Sequence, residues 1–259
     1  MKKLTLVLIA SLSLASGRAF AADDSFVGKW KFNPEKSQLN GLDYKIEDTG
    51  DGKYTFAFGD DVETMTLDGK GHTTKYGNTW SVKATGPNTW ESTMKREGKV
   101  IATEKWTVSE DNQTFTSMAE NKRPDGTTGQ TESTFKRTAG TTGLAGTWQS
   151  ASIKVLSPTT MEIAKWQKDG YSMSNPTFKD RLNFKFDSKD YTPTGPRVAK
   201  GMTVSAEKVD DHTMELTYKL KGKTIETDRW ELAADGKTLT DSIVYPGVTK
   251  QEVDVLDRQ

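Results

Sequence analysis

The chain has no cysteine among its 259 residues. That excludes disulfide stapling, thiolate metal sites and a lipid carried on an N-terminal cysteine, so the fold must be held by its core alone. Histidine is nearly absent as well. His72 follows Gly71, and His212 follows Asp210-Asp211, each at a turn and each in a different half of the chain. Neither has a carboxylate or cysteine cluster around it, which excludes a His-based metal centre and a Ser-His-Asp triad. No cofactor is implied, and Asp48-Thr49-Gly50-Asp51-Gly52 lacks the spacing of a calcium loop and reads as a turn. Charge of one sign is not in excess, since 36 Lys and Arg face 36 Asp and Glu. A nucleic-acid binder would show a basic stripe, and there is none. Beyond the first twenty residues no apolar run approaches the 20 or so residues of a membrane span. The candidate strands are too rich in Lys, Glu and Thr for the apolar outer face of a membrane barrel.

What is present begins with Met1-Lys2-Lys3, an apolar run from Leu4 to Ala15, and Ala19-Phe20-Ala21. A basic start, a short apolar stretch and small residues at −3 and −1 are the parts of a cleavable signal peptide. The reading is a signal peptide over 1–21, cleavage after Ala21, and a periplasmic or secreted mature protein. Removing Lys2, Lys3 and Arg18 leaves 33 basic against 36 acidic residues, a net charge of −3.

The strongest feature after that is a repeat. Thr89–Thr116 and Thr213–Thr240 align at an offset of 124 without a gap over 28 positions, 12 of them identical. The identities include Gly98/Gly222, Ile101/Ile225, Trp106/Trp230 and Asp111/Asp235. The openings match too, Phe26-Val27-Gly28-Lys29-Trp30 with Leu144-Ala145-Gly146-Thr147-Trp148. So do the closings, Phe135-Lys136-Arg137 with Leu256-Asp257-Arg258. Self-similarity of this kind marks a duplicated unit. Copy one is expected over 26–138 and copy two over 144–259, joined by Ala139-Gly140-Thr141-Thr142-Gly143, a link too short to hold the copies far apart.

Within each copy the period is two. Tyr54-Thr55-Phe56-Ala57-Phe58, Val100–Val108 and Leu182-Asn183-Phe184-Lys185-Phe186 alternate, and Thr, Val, Tyr, Phe and Trp dominate them. Asp51-Gly52, Asp68-Gly69, Asp125-Gly126, Asp169-Gly170 and Asp235-Gly236 are hairpin pairs, and Glu97-Gly98 and Lys221-Gly222 close the same hairpin in the two copies. Many short strands at this spacing predict an all-β chain of two antiparallel barrels or sandwiches. One exception is expected, a short helix over Ser157–Lys168, where copy one has no matching insert.

Gly28-Lys29-Trp30-Lys31-Phe32 resembles the first strand of the lipocalin and fatty-acid-binding protein superfamily. The longer Gly28–Ser37 string and the Gly222–Thr240 block resemble exported bacterial lipocalin-like proteins. The resemblance implies two tandem up-and-down barrels of about eight to ten strands each, with Gly28-Trp30 and Gly146-Trp148 at the barrel floors. Two family features are missing. Asn33–Gly41 is too short for a helical lid. The Arg that would take a fatty-acid carboxylate is replaced by Ser133 and Asp254.

Trp106 and Trp230 each follow an acid by two residues, Glu104 and Asp228, on one strand face. Met94 and Tyr218 occupy equivalent places on the preceding strand. These six are the candidate ligand-binding residues, if that face points inward. The competing reading is a core face, with the acids in internal ion pairs. The functional expectation is a small, partly apolar ligand inside a barrel. The alternative is a pair of filled barrels acting as an interaction module. Catalysis is the least supported, because no nucleophile–base pair is present. The extra length of copy two marks it as the copy with room for a binding device.

Overall fold

The computed structural model describes residues 25–259, so the signal peptide read over 1–21 lies outside them. Among the described residues there is no helix. Copy one contributes β1 (Gly28–Phe32), β2 (Asp43–Gly50), β3 (Lys53–Phe58), β4 (Asp61–Thr66), β5 (His72–Thr73), β6 (Thr79–Gly86), β7 (Thr89–Arg96), β8 (Lys99–Val108), β9 (Thr114–Lys122) and β10 (Thr128–Ala139). Copy two contributes β11 (Gly146–Val155), β12 (Thr160–Trp166), β13 (Gly170–Asn175), β14 (Asp180–Lys185), β15 (Met202–Lys208), β16 (Thr213–Leu220), β17 (Lys223–Leu232), β18 (Thr238–Val244) and β19 (Glu252–Arg258).

The hairpin shared by the copies forms as its sequence dictates. Glu97 and Gly98 have φ of 49° and 77°, and Lys221 and Gly222 have 51° and 82°. Positive φ at both central residues is the tight turn whose twist matches a hairpin, and a glycine at the second position removes its steric cost. Both hairpins also carry one bulge at the same place, between Met94 and Lys95 and between Tyr218 and Lys219.

The strands form two antiparallel sheets, each curled into a nearly closed barrel. The ten-stranded sheet runs β4-β3-β2-β11-β10-β9-β8-β7-β6-β5, and the nine-stranded sheet runs β14-β13-β12-β1-β19-β18-β17-β16-β15. Each sheet therefore contains the opening strand of the other copy. β11 lies between β2 and β10, with Trp148 opposite Tyr44 and Arg137. β1 lies between β12 and β19, with Trp30 opposite Met161 and Arg258. The first barrel is thus continuous in sequence, from 43 to 155. The second is β1 plus residues 160–258. Hydrogen bonding does not divide at the 139–143 link, and the repeats 26–138 and 144–259 are not the units of the sheets.

The cores follow the sheets. Trp30 packs with Ile163, Phe184, Leu216 and Leu239, and Trp148 packs with Ile46, Val82, Trp106 and Phe115. Both tryptophans are fully buried. Each indole N–H donates to a carbonyl four residues back, Phe26 or Leu144, at 2.9 Å. An arginine of the closing strand covers each ring, Arg258 at 4.2 Å from Trp30 and Arg137 at 3.9 Å from Trp148. These guanidiniums also donate to backbone carbonyls, Arg258 to Val27 (2.7 Å) and Arg137 to Ala145 (2.7 Å). That close approach explains the glycines of the opening strands. A Cβ at Gly28 would fall 2.5 Å from Arg258 Nη1, and one at Gly146 would overlap Arg137 Nη1.

The helix expected over 157–168 is not formed. Thr160–Trp166 is strand β12, because Met161 and Ile163 face Trp30 and Gly28 across the sheet and Ile163 joins the core. Pairing partners distant in sequence override the weak local pattern. β12 is the counterpart of β2, and the added length of copy two falls later, between β14 and β15. There Thr194 bridges to Arg181 and Tyr191 to Val204, so the segment straps the two sheet edges together. In the first barrel Asp68 bridges to Lys83 across the equivalent gap.

The barrels touch. Asp60 N–H donates to the Pro246 carbonyl at 2.9 Å, and the Phe58 and Tyr245 rings lie 5.1 Å apart.

Candidate functional site

The face carrying Trp106 and Glu104 points into the first barrel. Cross-strand register lines up Trp90, Trp106, Ser117 and Ser133 in one inner row and Ser92, Glu104, Ala119 and Thr131 in the next. Period-two alternation puts them there, since inward and outward residues alternate along each strand. The rows do not fill the interior. A cavity of about 420 Å³ remains, within the range of small-molecule sites.

Aromatic rings wall this cavity. Phe56 lies 4.9 Å from Trp80 and 5.8 Å from Trp106, and Trp106 lies 6.0 Å from Phe115, centroid to centroid. Tyr44 and Phe135 extend the wall at 5.3 Å. Met94, Glu104 and Trp106 all line the cavity, so the structure brings three of the six sequence candidates together. Glu104 is the polar feature among them. Its Oε2 accepts from Trp106 Nε1–H at 2.6 Å and from Ser117 Oγ–H at 2.9 Å. Among the described residues Oε1 has no hydrogen-bond partner. The carboxylate is oriented by two donors that share one of its oxygens.

The rim is polar and tied. Tyr76 O–H donates to Asp61 at 2.6 Å, Lys75 pairs with Asp61 at 2.6 Å, and His72 lies 3.2 Å from Glu63. His72 is thus placed in a rim contact, and His212 in an exposed turn where its N–H binds Asp210. Burial, with a smaller contribution from the Glu252 carboxylate, pushes the Tyr44 phenol up to about 12, so it stays a neutral donor.

The equivalent face of the second barrel also points inward, but its chemistry differs. The rows are Met214, Trp230, Asp241, Asp254 and Leu216, Asp228, Ile243, Glu252, with Tyr218 opposite Glu226 beyond them. Tyr218 lines a cavity of about 640 Å³ with Met161, Met202 and Glu226. Trp230 lines a second cavity of about 380 Å³ with Asp241, Glu252 and Asp254. Asp228 lines neither and is buried within its row. Glu104 reaches its tryptophan N–H, but Asp228 is one methylene shorter, and Asp228 Oδ1 and Trp230 Nε1 are both left without a partner.

Burial pushes these carboxyls up, and mutual repulsion adds to it. Glu226 moves to about 6 and Asp254 to about 7, while Asp228 and Asp241 rise well above the usual range and Glu252 rises as well. Burial and the Asp228 charge hold the Tyr218 phenol neutral.

Sequence reasoning missed Phe56, Trp80, Phe115, Asp241 and Glu252, and noted Asp254 only as the residue at the place of a carboxylate-binding Arg. The offset of 124 carries Ser117 onto Asp241, so extending the copy comparison one strand further would have found the acid. Gly28, Trp30, Gly146 and Trp148 sit in the Arg-capped cores described above, away from the cavities. No known family and no curated protein matches the chain.

Proposed function

We propose that the chain is an exported, lipocalin-like binding protein whose first barrel takes one small, partly apolar molecule. The observation that carries this is the 420 Å³ cavity walled by Phe56, Trp80, Trp106 and Phe115, with Glu104 in its lining and held there through Oε2 by Trp106 and Ser117. Aromatic faces favour a flat or cyclic apolar body. A fixed carboxylate oxygen favours a ligand with an N–H or O–H donor. The Gly-x-Trp openings and two tandem barrels support the lipocalin-like reading, and the 1–21 segment supports export. The role is binding, without catalysis.

The test is titration of the mature protein with N-phenyl-1-naphthylamine, a neutral aromatic with one N–H. Saturable fluorescence enhancement at one site is expected. Ala119→Trp, which fills the cavity from its wall, should abolish it, and Glu104→Gln should weaken it about tenfold. Binding unchanged by Ala119→Trp would overturn the assignment. N-terminal sequencing of the exported protein should begin at Ala22.

A further inference from the structure

Five carboxylates face the interior of the second barrel: Glu226 and Asp228 on β17, Asp241 on β18, Glu252 and Asp254 on β19. The same positions in the first barrel, by register, are Ala102, Glu104, Ser117, Thr131 and Ser133. One inner acid there, held by two donors, stands against five here. Asp241 and Asp254 lie directly opposite each other on neighbouring strands, an arrangement that destabilises a sheet when both are charged. Among the described residues no lysine or arginine forms an ion pair with any of the five. The groups that face them are the phenols of Tyr218, Tyr245 and Tyr44, and around Glu226 the phenol of Tyr76 with Lys75 and Lys223 on one side and, across the 640 Å³ cavity, Arg181 and Arg197 on the other. Arg197 is already held by Asp180 at 2.5 Å, and Arg181 donates to Ser172.

A row of acids alone would be a costly interior and nothing more. The second observation is unmet hydrogen bonding at the cavity wall. Asp241 is 5% exposed, Trp230 is 5% exposed, both line the 380 Å³ cavity, and Asp241 Oδ1 and Trp230 Nε1 have no partner. Asp254 Oδ1, on the same wall, has none either. Buried polar atoms of this kind are ordinarily satisfied. The cavity thus offers convergent negative charge, an indole face and apolar flanks from Phe32, Met161 and Leu256.

We propose that this cavity binds a small organic cation bearing a primary ammonium group. An ammonium brings three donors and a positive charge, which meets Asp241 and Asp254 together and relieves their repulsion. The Trp230 ring beside it adds attraction for a desolvated cation. A bare divalent metal fits less well, because no group of three or more carboxylates or histidines among the described residues has the arrangement to hold one. The raised carboxyl values support the same reading: the empty site retains protons that an incoming cation displaces.

The experiment is calorimetric titration of the full mature protein with 1,4-diaminobutane, with 1,4-butanediol and CaCl₂ as controls, at pH 7.5 in two buffers of different ionisation heat. Expected are one saturable site for the diamine, no heat from the diol, and proton release on binding. Asp241→Asn and Asp254→Asn should each weaken the diamine at least tenfold, whereas Glu110→Gln, at an exposed turn, leaves it unchanged. Both Asn variants replace a buried carboxyl that is costly to ionise with a neutral group of the same shape, so melting curves should show them folded and no less stable than the parent. No saturable diamine binding up to about 10 mM, binding that survives both Asn substitutions, or CaCl₂ displacing the diamine at equal concentration would each overturn the proposal. None of these outcomes bears on the naphthylamine site in the other barrel.

Discussion

Trp30→Ala tests the exchanged strands directly. Trp30 belongs by sequence to copy one but lies fully buried in the barrel built from copy two. Truncation removes the ring that packs on Ile163, Phe184 and Leu239, the N–H bond to Phe26, and the platform under Arg258. Large-to-small changes at a buried tryptophan cost about 3–5 kcal/mol. Each 1.4 kcal/mol is a factor of ten, so the open population of that barrel should rise by roughly two to three and a half orders of magnitude. Native-state hydrogen exchange reads this peptide by peptide. Amides of β13–β14 and β16–β19 should exchange faster, while those of β2–β4 and β7–β10 keep most of their protection. Trp148→Ala should give the converse pattern, since that ring belongs to the first barrel's core. Faster exchange centred on β2–β10 in Trp30→Ala would refute the exchanged arrangement.

Other outcomes follow from the same contacts. Gly146→Ala places a methyl against Arg137 Nη1 and the Ala139 carbonyl, and should cost about 2–3 kcal/mol, seen as a lower melting temperature. The second barrel should be more stable at pH 5 than at pH 8. Its carboxyls are raised, so the folded state binds more protons than the unfolded chain, and unfolding free energy falls as pH rises above about 4. Asp254 alone, at about 7 against an ordinary 3.8, contributes about 2–4 kcal/mol of that loss. Urea midpoints across this range should fall, Asp254→Asn should flatten the slope, and a rising midpoint would contradict the cluster's burial. Arg137→Lys keeps the charge but loses the forked donors to Asn112, Gly143 and Ala145, and should unfold at lower urea than the parent.

The all-β class, the two barrels and the hairpins at Gly98 and Gly222 were legible because period two, glycine turns and the repeat all act locally. The same period put Glu104 and Trp106 on one strand face, but which way that face points was not legible and needed the barrel. Strand exchange was not legible. Phe26–Trp30 and Leu144–Trp148 are alike in sequence, so nothing in either opening strand marks which barrel it joins. β12 was misread for a related reason, since its partner β1 lies more than a hundred residues away. The closing Arg137 and Arg258 were visible as a repeated pair, but their role needed the ring contact to be seen.

Each barrel of the full chain is completed by a strand from the other repeat, so in this arrangement neither repeat forms a whole barrel from its own strands. A gene fragment ending in the 139–143 link would yield a protein with one strand to give and one vacancy to fill. Two such molecules would satisfy each other by trading first strands, and the full chain has the architecture of that dimer joined into a single polypeptide. The tether replaces a concentration-dependent association with an intramolecular one, so the two barrels stay complete at any dilution.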